Sequence, residues 1–193
     1  MAQERIKNLD WGTFIELNEE KIEQKAHEIL EGMTLEQKAE QMAGDDSLLH
    51  GIGMAIHYNK YPIPAGVNEN LNIPGILFSD GPRGVVLNNS TCFPVSMARG
   101  ATWDRELEER IGKIIGIEAK AQGANFFGGV CINLLRHPAW GRAQETYGED
   151  SYLLGEMGSA LVRGTQKHVM ACAKHYACNS MEKARFKVNV QID

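Results

Sequence analysis

Asn125-Phe126-Phe127-Gly128-Gly129-Val130-Cys131-Ile132-Asn133-Leu134-Leu135 runs without a charge into Arg136-His137-Pro138-Ala139-Trp140-Gly141-Arg142. An apolar run of this kind, carrying glycines and ending in a proline-bearing polar loop, reads as a buried strand. Two helical periods flank it. Asp104 caps a helix through about Gln122, with Leu107, Ile111, Ile114, Ile115 and Glu118 at helical spacing. Asp150 caps another through about Lys167, with Leu153, Leu154, Met157, Leu161 and Val162 as its inner face. Ile73–Phe78 reads as an earlier strand, Pro94–Ala98 as a short one, and Val169–Ala173 as a later one. Strand, loop and helix alternate, which favours an α/β fold with a parallel sheet covered by helices.

Toward the N-terminus the pattern changes. Residues 19–31 read as an exposed helix with Ile22, Ala26, Ile29 and Leu30 on one stripe, stopped by Gly32. Thr34-Leu35-Glu36-Gln37 is a capping box that opens a second helix. Residues 44–72 are rich in glycine, proline and asparagine and read as irregular. The chain is therefore expected to divide into a helical leader with a loop region, 1–72, and an α/β part, 73–193.

A length of 193 residues suits one domain with a real core, and 43% hydrophobic residues exclude a disordered chain. A net charge of −5 argues against a nucleic-acid partner. The first ten residues carry charges at positions 4, 5, 7 and 10, and no run approaches the ~18 apolar residues of a membrane span. Cys92, Cys131, Cys172 and Cys178 form no CxxC pair, so four reduced thiols and a cytoplasmic location are expected. His27, His50, His57 and His168 have no partner at metal-ligand spacing, and the glycine clusters fit neither a dinucleotide nor a P-loop fingerprint. No cofactor is expected.

The polar clusters follow the strands. In Ser79-Asp80-Gly81-Pro82-Arg83-Gly84, Asp80 is either a turn former or a carboxylate that accepts two hydroxyl hydrogen bonds from a polyol. Arg136 and Arg142 bracket Trp140; one arginine fork can tie the loop to Glu145, Glu149 or Asp150, and Arg136 is read in that structural role. Trp140 is read as core rather than as a stacking platform for a sugar. Lys174-His175 ends an apolar run, where a lysine needs a carboxylate or ligand oxygens close by. Adjacent residues of an extended strand point apart, so both reach one pocket only if the backbone bends there.

Taken in series, five segments resemble the N-terminal barrel domain of the family 3 glycoside hydrolases, β-glucosidase type. They are Met33-Thr34-Leu35-Glu36-Gln37-Lys38 with Gln41-Met42, then Ser79–Gly84, then Phe93-Pro94 with Ala101-Thr102-Trp103-Asp104, then Arg136–Asp150, and last Lys174-His175-Tyr176-Ala177-Cys178-Asn179-Ser180-Met181-Glu182. The likeness covers roughly residues 30–193, and the last segment resembles the β-glucosidase branch more than the N-acetylglucosaminidase branch. It implies a subsite for the non-reducing-end glucose of a β-glucoside. Asp80 would accept from the sugar's outer hydroxyls, while Arg142, Lys174 and His175 would donate to the others. Arg83, Arg136 and Glu145 would hold those contacts in place.

The resemblance also implies a deficit. The family's retaining hydrolysis needs two carboxyl groups ~5–5.5 Å apart across the glycosidic bond. Its nucleophile is an aspartate in an SDW-like motif, and no such motif occurs among these residues; Asp80 is followed by Gly81. The acid/base residue comes from a further domain of the family. A full (β/α)8 barrel takes ~250 residues and eight strands, against three or four strands here. The chain is thus expected to form the front half of a TIM-type barrel without catalytic residues, with open edges that favour self-association or completion by the remaining half. The alternatives are a non-catalytic carbohydrate-binding remnant and a partner-completed half-barrel.

Overall fold

The computed structural model describes residues 17–44, 52, 56 and 59–191. They fall into two compact units, one within 1–55 and 63–76, the other within 56–62 and 77–193. His50 and His57 lie outside the described residues, as does most of the segment between 45 and 58.

The first unit holds helices α1 (Glu19–Glu31) and α2 (Leu35–Glu40), the short strand β1 (Ile63–Ala65) and a 3₁₀ turn at Glu69–Leu71. Asn18 caps α1 by accepting from the Lys21 amide at 3.0 Å. The expected capping box is present: the Gln37 amide donates to Thr34 Oγ1 at 3.2 Å, and the Thr34 amide to Gln37 Oε1 at 2.9 Å. The apolar side of α1 is thin. Only Ile29 packs into the small cluster around Met33 and Leu71, and no residue of α1 is buried.

The second unit contains β2 (Ile76–Ser79, from Leu77 on), α3 (Ser96–Gly100), α4 (Arg105–Ala121), β3 (Phe126–Cys131), α5 (Ser151–Thr165) and β4 (Met170–Lys174). Asp104 and Asp150 cap the two long helices, accepting from the Leu107 amide at 2.8 Å and the Leu153 amide at 2.7 Å. β2 pairs in parallel with β3, Ser79 opposite Phe127, and β3 pairs in parallel with β4, Cys131 opposite Lys174. The register shifts between Phe127 and Val130, where the two glycines sit. Ile111, Ile115 and Ala119 of α4 meet Phe127 and Val130 of β3 and Leu161 of α5 in one core, joined by Val85 and Leu87 from the loop after β2.

Two local expectations change. Ile114 is 42% exposed, because the inner side of α4 is completed by Gly112 and Gly116 rather than by a wider apolar stripe. Those glycines let the backbone of α5 approach, and Thr165 Oγ1 donates to the Gly112 carbonyl at 3.3 Å. Pro94–Ala98 is not a strand. Ser96, Arg99 and Gly100 are buried at a helical spacing and form α3, with Ser96 Oγ accepting from Arg99 on the same face. A short run of this kind does not separate the two periods by sequence alone. Residues 186–190 form turn and irregular backbone. Among the described residues, no helix is long and apolar enough to cross a membrane.

Candidate functional site

Because the three strands of the second unit are parallel, their C-terminal ends lie along one edge of the sheet. Asp80 follows β2, Asn133 lies two residues beyond β3, and Lys174 ends β4. The turn that carries Asp80 requires glycine at Gly81, whose φ is +132°, and the Gly81 amide donates to Asp80 Oδ1 at 2.8 Å. A side chain at Gly129 would collide with the Gly81 carbonyl, so the bare backbone of β3 admits this loop.

Lys174 Nζ donates to Asp80 Oδ1 at 2.7 Å. The lysine side chain is only 14% exposed and the aspartate 50%, so the partly buried ammonium has the carboxylate that its apolar strand demands. Oδ2 of Asp80 has no partner among the described residues, and two of the three Lys174 N–H donors are unspent. Both groups can accept or donate further.

Next to Lys174, His175 is held by three contacts to two residues. Asn133 Oδ1 accepts from the His175 amide at 2.9 Å and contacts the ring Nδ1 at 2.6 Å. Arg142 meets Nε2 at 2.9 Å. The backbone amide fixes which atom of Asn133 faces the histidine, so Nδ1 must carry the proton and Nε2 must accept from the guanidinium. His175 is therefore neutral. Burial first, then the positive charges of Arg142 and Lys174, hold its imidazole below the ordinary value of 6.5. In this arrangement the ring has no free hydrogen for a hydroxyl, and His175 acts by orienting Arg142.

Arg142 is also gripped by Glu145 through a bidentate pair, Nε to Oε1 at 2.9 Å and Nη2 to Oε2 at 2.6 Å. This pairing raises the guanidinium pKa further. Three of the five N–H groups are spent on Glu145 and His175, which leaves two for another acceptor. Glu182 Oε1 stands 3.8 Å away.

The structure thus brings Asp80, Lys174, His175 and Arg142 together, with Glu145 behind Arg142. It does not bring Arg136 in. That side chain is exposed and has no hydrogen bond or ion pair among the described residues, so Glu145 is tied by Arg142 instead. Arg83 is exposed too; its Nε donates to the Phe93 carbonyl at 3.4 Å. It lines a cleft of about 460 Å³ with Asn88, Thr91 and Cys92, apart from the four convergent residues. Trp140 is 3% exposed and belongs to the core, closed to a sugar face. Among the described residues, no group of histidine, cysteine and carboxylate side chains is placed to hold a metal ion.

Sequence reasoning missed Asn133, the residue that decides the His175 tautomer. Its signal was a lone polar side chain inside an apolar run, which requires a partner when buried. It also missed Arg99, Glu108 and Tyr147. Arg99 and Glu108 are 2% and 1% exposed and 3.1 Å apart, and Tyr147 Oη donates to Glu108 Oε1 at 2.6 Å.

Comparison with known proteins places these features in context. Residues 59–190 match the model of the glycosyl hydrolase family 3 N-terminal domain. Thermostable beta-glucosidase B of Acetivibrio thermocellus is 35% identical over 179 residues, 86% of this chain and 22% of its own length. Probable beta-glucosidase I of Emericella nidulans is 43% identical over 126 residues, 62% of this chain and 15% of its own length. Among solved structures, beta-glucosidase 3B from Thermotoga neapolitana, in complexes with glycerol and with alpha-D-glucose, superposes with a TM-score of 0.72 at 31% identity. That alignment covers 82% of this chain and 24% of the other. The chain spans less than a quarter of the length of each of these proteins. The strand–helix alternation of the second unit is that of a TIM-type (β/α) barrel with its sheet not closed, as expected.

Proposed function

The chain belongs to glycosyl hydrolase family 3, and from that premise we propose that its second unit builds the glucose-binding subsite of a β-glucosidase. In the complete enzyme the reaction is retaining hydrolysis of terminal non-reducing β-D-glucosyl residues. The catalytic carboxylates of that reaction lie outside these 193 residues.

One observation carries the reading: the Asp80–Lys174 pair sits beside the His175–Arg142 pair, with unspent hydrogen-bonding capacity left in both. A glucose ring presents neutral hydroxyls that both donate and accept. The Asp80 carboxylate supplies acceptors, and Lys174 and Arg142 supply charge-assisted donors, the stronger kind of hydrogen bond in a partly dry site. His175 and Glu145 keep Arg142 from collapsing onto another acceptor. The bound glucose of the Thermotoga neapolitana relative supports the choice of sugar.

Isothermal calorimetry with glucose tests this. The wild-type chain should bind, and Lys174→Ala should weaken binding at least tenfold, about 1.4 kcal/mol, within reach of one lost charge-assisted hydrogen bond. Equal heats for both proteins, or no heat from either, would remove the subsite and leave a structural role for these residues.

A further inference from the structure

The Asp80 loop is tied to a buried polar assembly through the Pro82 carbonyl. Arg99 is 2% exposed, yet each of its three side-chain nitrogens donates a hydrogen bond. Nη1 donates to the carbonyls of Pro82 and Pro94, each at 3.1 Å. Nη2 donates to Ser96 Oγ at 3.1 Å, and Nε to Glu108 Oε1 at 3.2 Å. Glu108 in turn accepts from Tyr147 Oη at 2.6 Å. Burial pushes the Glu108 carboxyl above the usual range, against the pull of Arg99 and Tyr147. The neighbour of Tyr147, Thr146, donates through Oγ1 to the Asn133 carbonyl at 2.5 Å. Asn133 holds His175.

The connections therefore run from Pro82, two residues after Asp80, through Arg99, Glu108, Tyr147 and Asn133 to His175 and Arg142. Stability alone does not call for such a pair. Apolar side chains of similar volume in place of a buried ion pair are often neutral or stabilising. What they cannot supply is a planar fork that fixes two carbonyls and a carboxylate at once.

We propose that Arg99 and Glu108 are positioning residues for the sugar site: the buried fork sets the Asp80 loop against β4, so that Asp80 meets Lys174, and links that loop to the segment holding Arg142. The proposal rests on the glucose-subsite reading for its function, but its geometry is testable without any sugar.

The test is competitive acetylation of the full 193-residue chain with N-hydroxysuccinimidyl acetate, followed by peptide mass spectrometry, reading Lys174 against exposed Lys113 in the same molecule. Asp80→Asn sets the scale for a freed Lys174. The double variant Arg99→Leu/Glu108→Leu should melt cooperatively near the wild-type temperature, yet acetylate Lys174 at least fivefold faster, with Lys113 unchanged. A folded double variant whose Lys174 rate stays within twofold of wild type overturns the proposal, because a merely space-filling pair would give that result. If the double variant does not fold, Arg99→Lys decides. It keeps the charge opposite Glu108 but loses the fork, and carries the same expected and overturning rates. Glucose calorimetry on the wild type is independent of this readout. A chain without glucose affinity but with faster Lys174 labelling in the variants keeps the positioning role and discards the sugar.

Discussion

His175 shows how much one residue's chemistry depends on neighbours distant in the chain. Asn133 and Arg142 together force the neutral ring with its proton on Nδ1. Nitrogen-15 NMR of the wild-type chain should show Nδ1 protonated and Nε2 bare, and the opposite tautomer would break the assignment. The pH dependence follows from the lowered pKa. Between the folded value and the ordinary 6.5 the unfolded chain binds more protons than the folded one, so stability is full above 6.5 and falls as pH drops below it. Glu108, raised by burial, contributes in the opposite direction. Denaturant melts at several pH values should therefore show an acid loss that disappears in His175→Gln; an unchanged slope in that variant would place the titrating group elsewhere. Lys174 beside a carboxylate was legible from its position at the end of an apolar run. The role of His175 as the support of Arg142 was not, because Asn133 and Arg142 lie 42 and 33 residues away.

At the scale of elements, α4 and α5 pack through backbone as much as through side chains. A β-carbon on Gly164 would run into the Glu109 carbonyl and come within 2.7 Å of the Lys113 amide. Alanine is the better helix former by about 1 kcal/mol. Overpacking against rigid backbone costs roughly 1–3 kcal/mol, so the clash should win. Gly164→Ala is expected to lower the unfolding free energy by about 1–2 kcal/mol in urea titration, while Gly155→Ala, with open space around it, should not lower it. A more stable Gly164→Ala would show that the helices separate freely. Both long helices, their caps and the three parallel strands were readable from period and capping residues. α3 was not, since its inward face is Ser96 and Arg99, polar residues that no hydrophobic pattern marks.

At the scale of the molecule, the family assignment and the content of the chain point different ways on catalysis. Asp80, the one acidic residue of the convergent four, faces the ammonium of Lys174 rather than a second carboxyl. A retaining glycosidase needs a pair ~5–5.5 Å apart. The pure 193-residue chain should therefore give no saturable hydrolysis of an aryl β-glucoside. Turnover abolished by Asp80→Asn with glucose affinity unchanged would refute this and make Asp80 a reacting group. Turnover that survives Asp80→Ala would place a nucleophile elsewhere in the chain.

The sequence by itself determined the alternation of strands and helices, the capping residues and the five motifs of the family, because each is written in residues close together along the chain. It also marked Asp80, Arg136, Arg142, Lys174 and His175 as polar residues that follow apolar runs. Tertiary structure alone decided their division of labour. It paired Asp80 with Lys174 across 94 residues, turned His175 into the support of Arg142, and left Arg136 in solvent. It also placed Arg99 and Glu108 behind the Asp80 loop. Hydrogen-bonding capacity is a property of which partners meet in space, and only the folded chain brings them together.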